Sequence, residues 1–114
     1  MKGDELKERT KQFTLRIMTM VDALPTSIAG RTVANQIMRS GSSVGANYRE
    51  ANGASSKKDF KNKIHICKKE AKETCYWLRL IARTNQELKE TARLLEGEAH
   101  QFVLIFSKIA SSSS

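Results

Sequence analysis

Turn-forming residues are scarce in this sequence. Proline occurs once, at Pro25, and glycine six times in 114 residues, too little punctuation for the many short strands of an all-β fold. Cysteine is nearly absent. Cys67 and Cys75 lie eight positions apart, roughly 12 Å along a helix at 1.5 Å per residue, beyond the reach of a disulfide. His65 and His100 are the only histidines, so no zinc-ligand cluster forms from the soft donors available. The two thiols read as small buried or half-buried side chains in a reducing compartment. No apolar run approaches the length of a membrane span, and the charged start Met1-Lys2-Gly3-Asp4-Glu5 lacks an apolar signal region, which predicts a cytoplasmic protein. A Walker loop, a dinucleotide fingerprint and a Ser-His-Asp set are also missing. These gaps point away from an enzyme, and no cofactor is implied.

What the chain does have is charge of one sign, concentrated in one place. The formal net charge is +8, and residues 55–85 carry nine basic groups against three acidic ones. An anionic partner is therefore to be sought on that segment.

Apolar periodicity predicts four helices. Leu6, Thr10, Phe13, Ile17, Met20 and Leu24 step by three and four toward Pro25, which stops the first. The second opens near Thr26 or Ser27 and carries Val33, Ile37, Ser40, Val44, Asn47 and Ala51, with Ala34, Met38, Gly41, Gly45 and Tyr48 in an adjacent row. Asn52-Gly53 reads as its end, and Ser56-Lys57-Lys58-Asp59 as a capping box for the third. Asn85-Gln86 leads into the fourth, with Leu88, Ala92, Leu95, Ala99, Phe102, Phe106 and Ile109 on its seam. The expectation is an all-α fold: an antiparallel up-and-down four-helix bundle spanning residues 1–110 as one domain, with residues 111–114 an unstructured serine tail. Within the second helix, Ser40-Gly41-Ser42-Ser43-Val44-Gly45-Ala46 holds poor helix formers. Either the helix breaks there, or the two glycines admit a neighbouring backbone. Periodicity surviving on both sides favours the second.

The third helix offers three faces. Phe60, Ile64, Cys67, Ala71, Thr74, Leu78 and Ile81 make a core seam; Ile66, Glu70, Glu73, Trp77 and Leu80 make a mixed one; Lys61, His65, Lys68, Lys72, Arg79 and Arg83 make a basic stripe. A small monomer needs only the first, which suggests contacts with other molecules. Asp59–Lys63 and Lys69–Glu73 have i,i+4 spacing, leaving Lys57, Lys61, Lys68, Lys72, Arg79 and Arg83 without a neutralising sequence neighbour. This row is either a solvated helix face or a track for phosphates, with Tyr76 inside it but no evident stacking platform. Glu70 and Glu73, with Glu50, have the types for acid–base chemistry or a divalent metal. Without a Glu-x-x-His motif they read more simply as structural partners of Arg39, Asn47, Tyr48 or Arg49, within or between subunits. Arg39, Asn47, Glu50, Glu70, Glu73 and Trp77 are accordingly assigned to structure and assembly.

Two motifs now resemble a known family. Helix two contains Arg39-Ser40-Gly41-Ser42-Ser43-Val44-Gly45-Ala46-Asn47-Tyr48-Arg49-Glu50-Ala51, a small-residue run followed by Asn-x-x-Glu at Asn47 and Glu50. Helix three contains Glu-x-x-Glu-x-x-x-Trp-Leu at Glu70, Glu73, Trp77 and Leu78. With Leu24-Pro25 before them, they resemble the four-helix-bundle family encoded in the intervening sequences of bacterial 23S rRNA genes, over roughly Phe13 to Phe106. The family's usual glycine after the helix-two Glu is Ala51 here, with Gly53 two residues on. The resemblance implies an antiparallel bundle assembling into ring-shaped homopentamers with a central channel. Related bundles are accessory factors of diversity-generating retroelements, where a basic pentamer binds reverse transcriptase and nucleic acid. The resemblance thus implies a non-enzymatic partner of itself, of RNA or DNA, or of a reverse transcriptase or similar nucleic-acid enzyme.

Overall fold

A computed structural model of the chain describes residues 3–112. Four helices run in order: α1 (Gly3–Val21), α2 (Ile28–Asn52), α3 (Lys57–Thr84) and α4 (Lys89–Ser112), with a short 3₁₀ turn at Gln86–Leu88 between the last two. The long axis measures 44 Å and the other two 21 and 19 Å. Each helix packs on its neighbours in the chain, and α1 closes the bundle against α4. Cross-helix pairs fix an antiparallel order. On α2 and α3, Glu50 meets Lys63 while Arg39 meets Glu70. On α1 and α2, Thr14 reaches the Gly41 carbonyl while Gly45 faces Thr10.

The connections follow local chemistry. The Ser27 hydroxyl accepts from the Gly30 amide and opens α2; Ser56 does the same with Asp59 for α3. Gly30 permits the first turn of α2 to fold onto Pro25, because an added Cβ would lie 1.9 Å from the Pro25 carbonyl oxygen. Gly53 ends α2 where expected but at φ −102°, so its amide bonds back to Glu50 and Ala51 without a left-handed turn.

α2 is continuous through its small-residue run. At Gly41 a Cβ would fall 2.6 Å from Ile17 Cδ1, and at Gly45 one would lie 3.1 Å from Thr10 Oγ1. The glycines therefore let α1 settle close against α2, and serine hydroxyls at 42 and 43 bond to the preceding turn. The core runs the length of the bundle: Leu6, Phe13, Ile17 and Met20 from α1, Ile37 and Val44 from α2, Ile64, Leu78 and Ile81 from α3, Leu95, Phe102 and Phe106 from α4. Phe13 meets Phe102 edge-on with centroids 5.2 Å apart. Above it Arg9 holds Glu98 in two bonds of 2.7 and 2.8 Å while its guanidinium lies 5.2 Å from the Phe102 ring, fastening α1 to α4.

Three expectations need correction. α4 does not stop at residue 110: Ser111 and Ser112 remain helical, their hydroxyls bonding to the Lys108 carbonyl one turn back. The tail positions 113–114 lie outside the described residues. On the α4 seam Ala110 is buried and Ile109 only partly so, because a 3.6-residue helix drifts from a strict alternation of three and four. Asn47 is half-buried and bonds its own helix, at the Ser43 carbonyl.

Candidate nucleic-acid interface

The apolar seam of α3 pins the helix between α2 and α4 and thereby fixes what its flanks face. Toward α2 lies the mixed row. Arg39 forms ion pairs with both Glu70 and Glu73, the Glu70 contact at 3.3 Å. Trp77 Nε1 donates to Glu73 Oε2 at 3.2 Å. Behind them the Thr74 hydroxyl donates to the Glu70 carbonyl, and the Thr74 and Ser40 hydroxyls meet at 2.9 Å between α2 and α3. The Glu70 side chain is buried, so removing Arg39 would strand a carboxylate in a poorly solvated place. Glu50 lies further along the same flank and binds Lys63 at 2.9 Å, which raises the Lys63 ammonium above its ordinary range through that bond.

This arrangement brings together Arg39, Glu70, Glu73 and Trp77 and separates Asn47 and Glu50 from them. It also reassigns two sequence pairings. Lys63 goes to Glu50 across the helix gap rather than to Asp59, and Glu73 goes to Arg39 rather than to Lys69. Among the described residues no group of three or more His, Cys, Asp or Glu converges as a metal cage would.

Toward α4 and solvent lies the basic row. Lys57, Lys72 and Arg83 are exposed, while Lys61 and Lys68 are half-buried. From Lys57 to Arg83 the row runs about 39 Å at 1.5 Å per residue, nearly the whole long axis. Among the described residues, Lys57, Lys61, Lys68, Lys72 and Arg83 have no carboxylate within ion-pair distance. Arg79 differs. Its Nε donates to Glu96 Oε2 of α4 at 2.6 Å, a bond that raises its pKa further. No sequence neighbour signals that partner, 17 positions away. Lys69, which does not reach Glu73, instead makes a long ion pair with its neighbour Glu70 at 3.8 Å and keeps its side chain 72% exposed. Lys69 and the exposed Lys58 extend the row, and sequence pairing rules hid the first of them.

The two thiols sit apart from this surface chemistry. Burial pushes Cys67 up to about 12, and burial together with the Glu96 carboxylate raises Cys75. Both are reduced and buried, protonated packing groups rather than nucleophiles. No helix among the described residues is long and apolar enough to cross a membrane.

Fold and surface together define a class: an all-α antiparallel four-helix bundle with an internally satisfied polar cluster on one flank of α3 and an open cationic row on the other. The family follows from comparison. The chain belongs to the family described as 23S rRNA-intervening sequence protein, whose profile it matches over residues 4–108. It is also similar to a crystal structure of a protein of unknown function from the S23 ribosomal protein family of Bacteroides thetaiotaomicron VPI-5482. The two share 35% identity with a TM-score of 0.87, covering 97% of this chain and 99% of that one. No curated protein sequence matches the chain.

Proposed function

We propose that this protein is a non-enzymatic, homo-oligomeric helical bundle that binds RNA or DNA through α3 with little sequence preference. The observation that carries the reading is the basic row from Lys57 to Arg83, in which five of six predicted cations, all but Arg79, keep no carboxylate partner among the described residues. A row of ammonium groups on a straight helix follows a phosphate backbone, releases its counterions and reads no base edge. The family's name, taken from an intervening sequence of 23S rRNA, is in keeping with a partner of that chemistry.

Self-association draws support from α4. Leu94 and Leu104 stand 61% and 52% exposed, and between them Gly97 has nothing within 4 Å of where a Cβ would be. A mid-helix glycine costs about 1 kcal/mol against alanine, and packing within the chain gives no return for it. A second copy approaching closely along this line would. A ring of five is the stoichiometry that the family resemblance implies.

The test is charge reversal. Lys68→Glu combined with Lys72→Glu should lower affinity for unrelated oligonucleotides of equal length by a similar factor, with the mass from light scattering unchanged. Retained affinity in the double variant would reject the row as the binding surface. Capture of a reverse transcriptase-like enzyme that survives nuclease treatment, with no oligonucleotide binding by the bundle alone, would instead favour a protein-interaction module.

A further inference from the structure

Tyr76 stands in the middle of the basic row. Lys72 lies one turn before it and Arg79 one turn after, with Lys69 and Arg83 about a turn further out on the same side. Tyr76 is 54% exposed, whereas Phe13, Phe102 and Phe106 are fully buried and Phe60 is packed against the core. Exposure of one aromatic is common on protein surfaces. What sets Tyr76 apart is its support.

The Tyr76 ring meets Trp77 edge-on, centroids 5.0 Å apart and planes at 73°. The indole is in turn held by its bond to Glu73, and Glu73 by Arg39 from α2. The mixed row therefore acts as a brace behind the basic one. A ring held in this way loses less freedom when a second flat group stacks on it than an unsupported side chain would.

We propose that Tyr76 stacks an unpaired base of a single-stranded nucleic acid whose phosphates run over Lys69, Lys72 and Arg83. The proposal rests on the nucleic-acid reading of this same face and narrows it to single strands. Phosphate contacts alone take either form of nucleic acid, but a protruding aromatic among them finds an open base only where the strand is unpaired. Stacking is indifferent to base identity, in accord with a surface that has no groove-reading element.

The probes are a short oligodeoxyuridylate, the matching oligouridylate, and a hairpin duplex with the same number of phosphates, each followed by fluorescence anisotropy. Trp77 is the sole tryptophan, and its emission gives a second readout beside the stacking ring. The expected result is tighter binding of a single strand than of the hairpin, with a change in Trp77 emission only for the single strand. Tyr76→Ala should lower single-strand affinity about tenfold and leave the hairpin unaffected, and Tyr76→Phe should restore it. The arm that binds tighter identifies the sugar, and a Tyr76-dependent loss in either single strand supports the proposal. If Tyr76→Ala binds single strands as wild type does while the Lys68→Glu, Lys72→Glu variant fails, stacking is wrong and the phosphate track stands. If wild type binds none of the three probes, the reading of the face falls and the proposal with it. A change in oligomer mass on Tyr76→Ala would place the ring in a subunit contact and overturn the proposal as well.

Discussion

At the scale of single residues, the bundle uses polar groups inside its core and keeps them satisfied. Thr74 and Ser40 occupy seam positions where an aliphatic side chain is the ordinary choice, and both are fully buried. Their mutual bond crosses from α2 to α3. Thr74→Val preserves shape but leaves the Ser40 hydroxyl short of a partner, and should cost about 1–2 kcal/mol in urea unfolding. Adding Ser40→Ala should recover part of that loss, which a double-mutant cycle measures. Cys67 gives a second prediction. Its folded pKa of about 12 lies above the ordinary 9.0, so as pH rises past 9 the unfolded chain ionises and the folded chain does not. The unfolded state then holds fewer protons, and stability contributed by this thiol is present below pH 9 and declines toward pH 12. Cys67→Ala should flatten that part of the decline in alkaline denaturation curves. In native protein at neutral pH, neither cysteine should react with a thiol reagent until denaturant is added.

At the scale of the element, each helix could be read from its own periodicity, and the reading held where one face decides the outcome. The α1 seam residues Leu6, Thr10, Phe13, Ile17 and Met20 are all buried as their spacing requires, as is Leu24 just beyond the helix end. The caps at Ser27 and Ser56 were visible because a hydroxyl before a helical run has one obvious use. What local rules could not supply was competition among partners. Glu73 has Lys69 one turn away, yet the Arg39 guanidinium from α2 captures it together with Glu70, since one planar fork can serve two carboxylates. Arg79 has no acidic neighbour in sequence and finds Glu96 on α4. The α4 glycine makes the element-level prediction. Gly97→Ala meets no atom within 4 Å and should raise the unfolding free energy of a dissociated chain by about 1 kcal/mol. If α4 lies in the subunit contact, Gly97→Leu should reduce oligomer mass in light scattering while leaving the helical circular dichroism intact. An unchanged mass would remove α4 from that contact.

For the molecule as a whole, the four-helix order was legible because short connections leave antiparallel neighbours little alternative. The candidate surface was legible only in part. The basic row appeared in the sequence, but its division into five open cations and one tied to α4 needed the packed helices, as did the supporting role of the mixed row. The open cations support the central proposal, that α3 binds a polyphosphate chain along the long axis of the bundle, 44 Å in extent. Its most direct test is a salt titration of oligonucleotide binding. If the row is the site, log affinity should fall linearly with log salt, with a slope of about −0.7 to −0.9 per phosphate neutralised, and the Lys68→Glu, Lys72→Glu variant should show a slope shallower by about two contacts. An affinity that stays flat while salt rises severalfold, or a slope identical in wild type and variant, would contradict it.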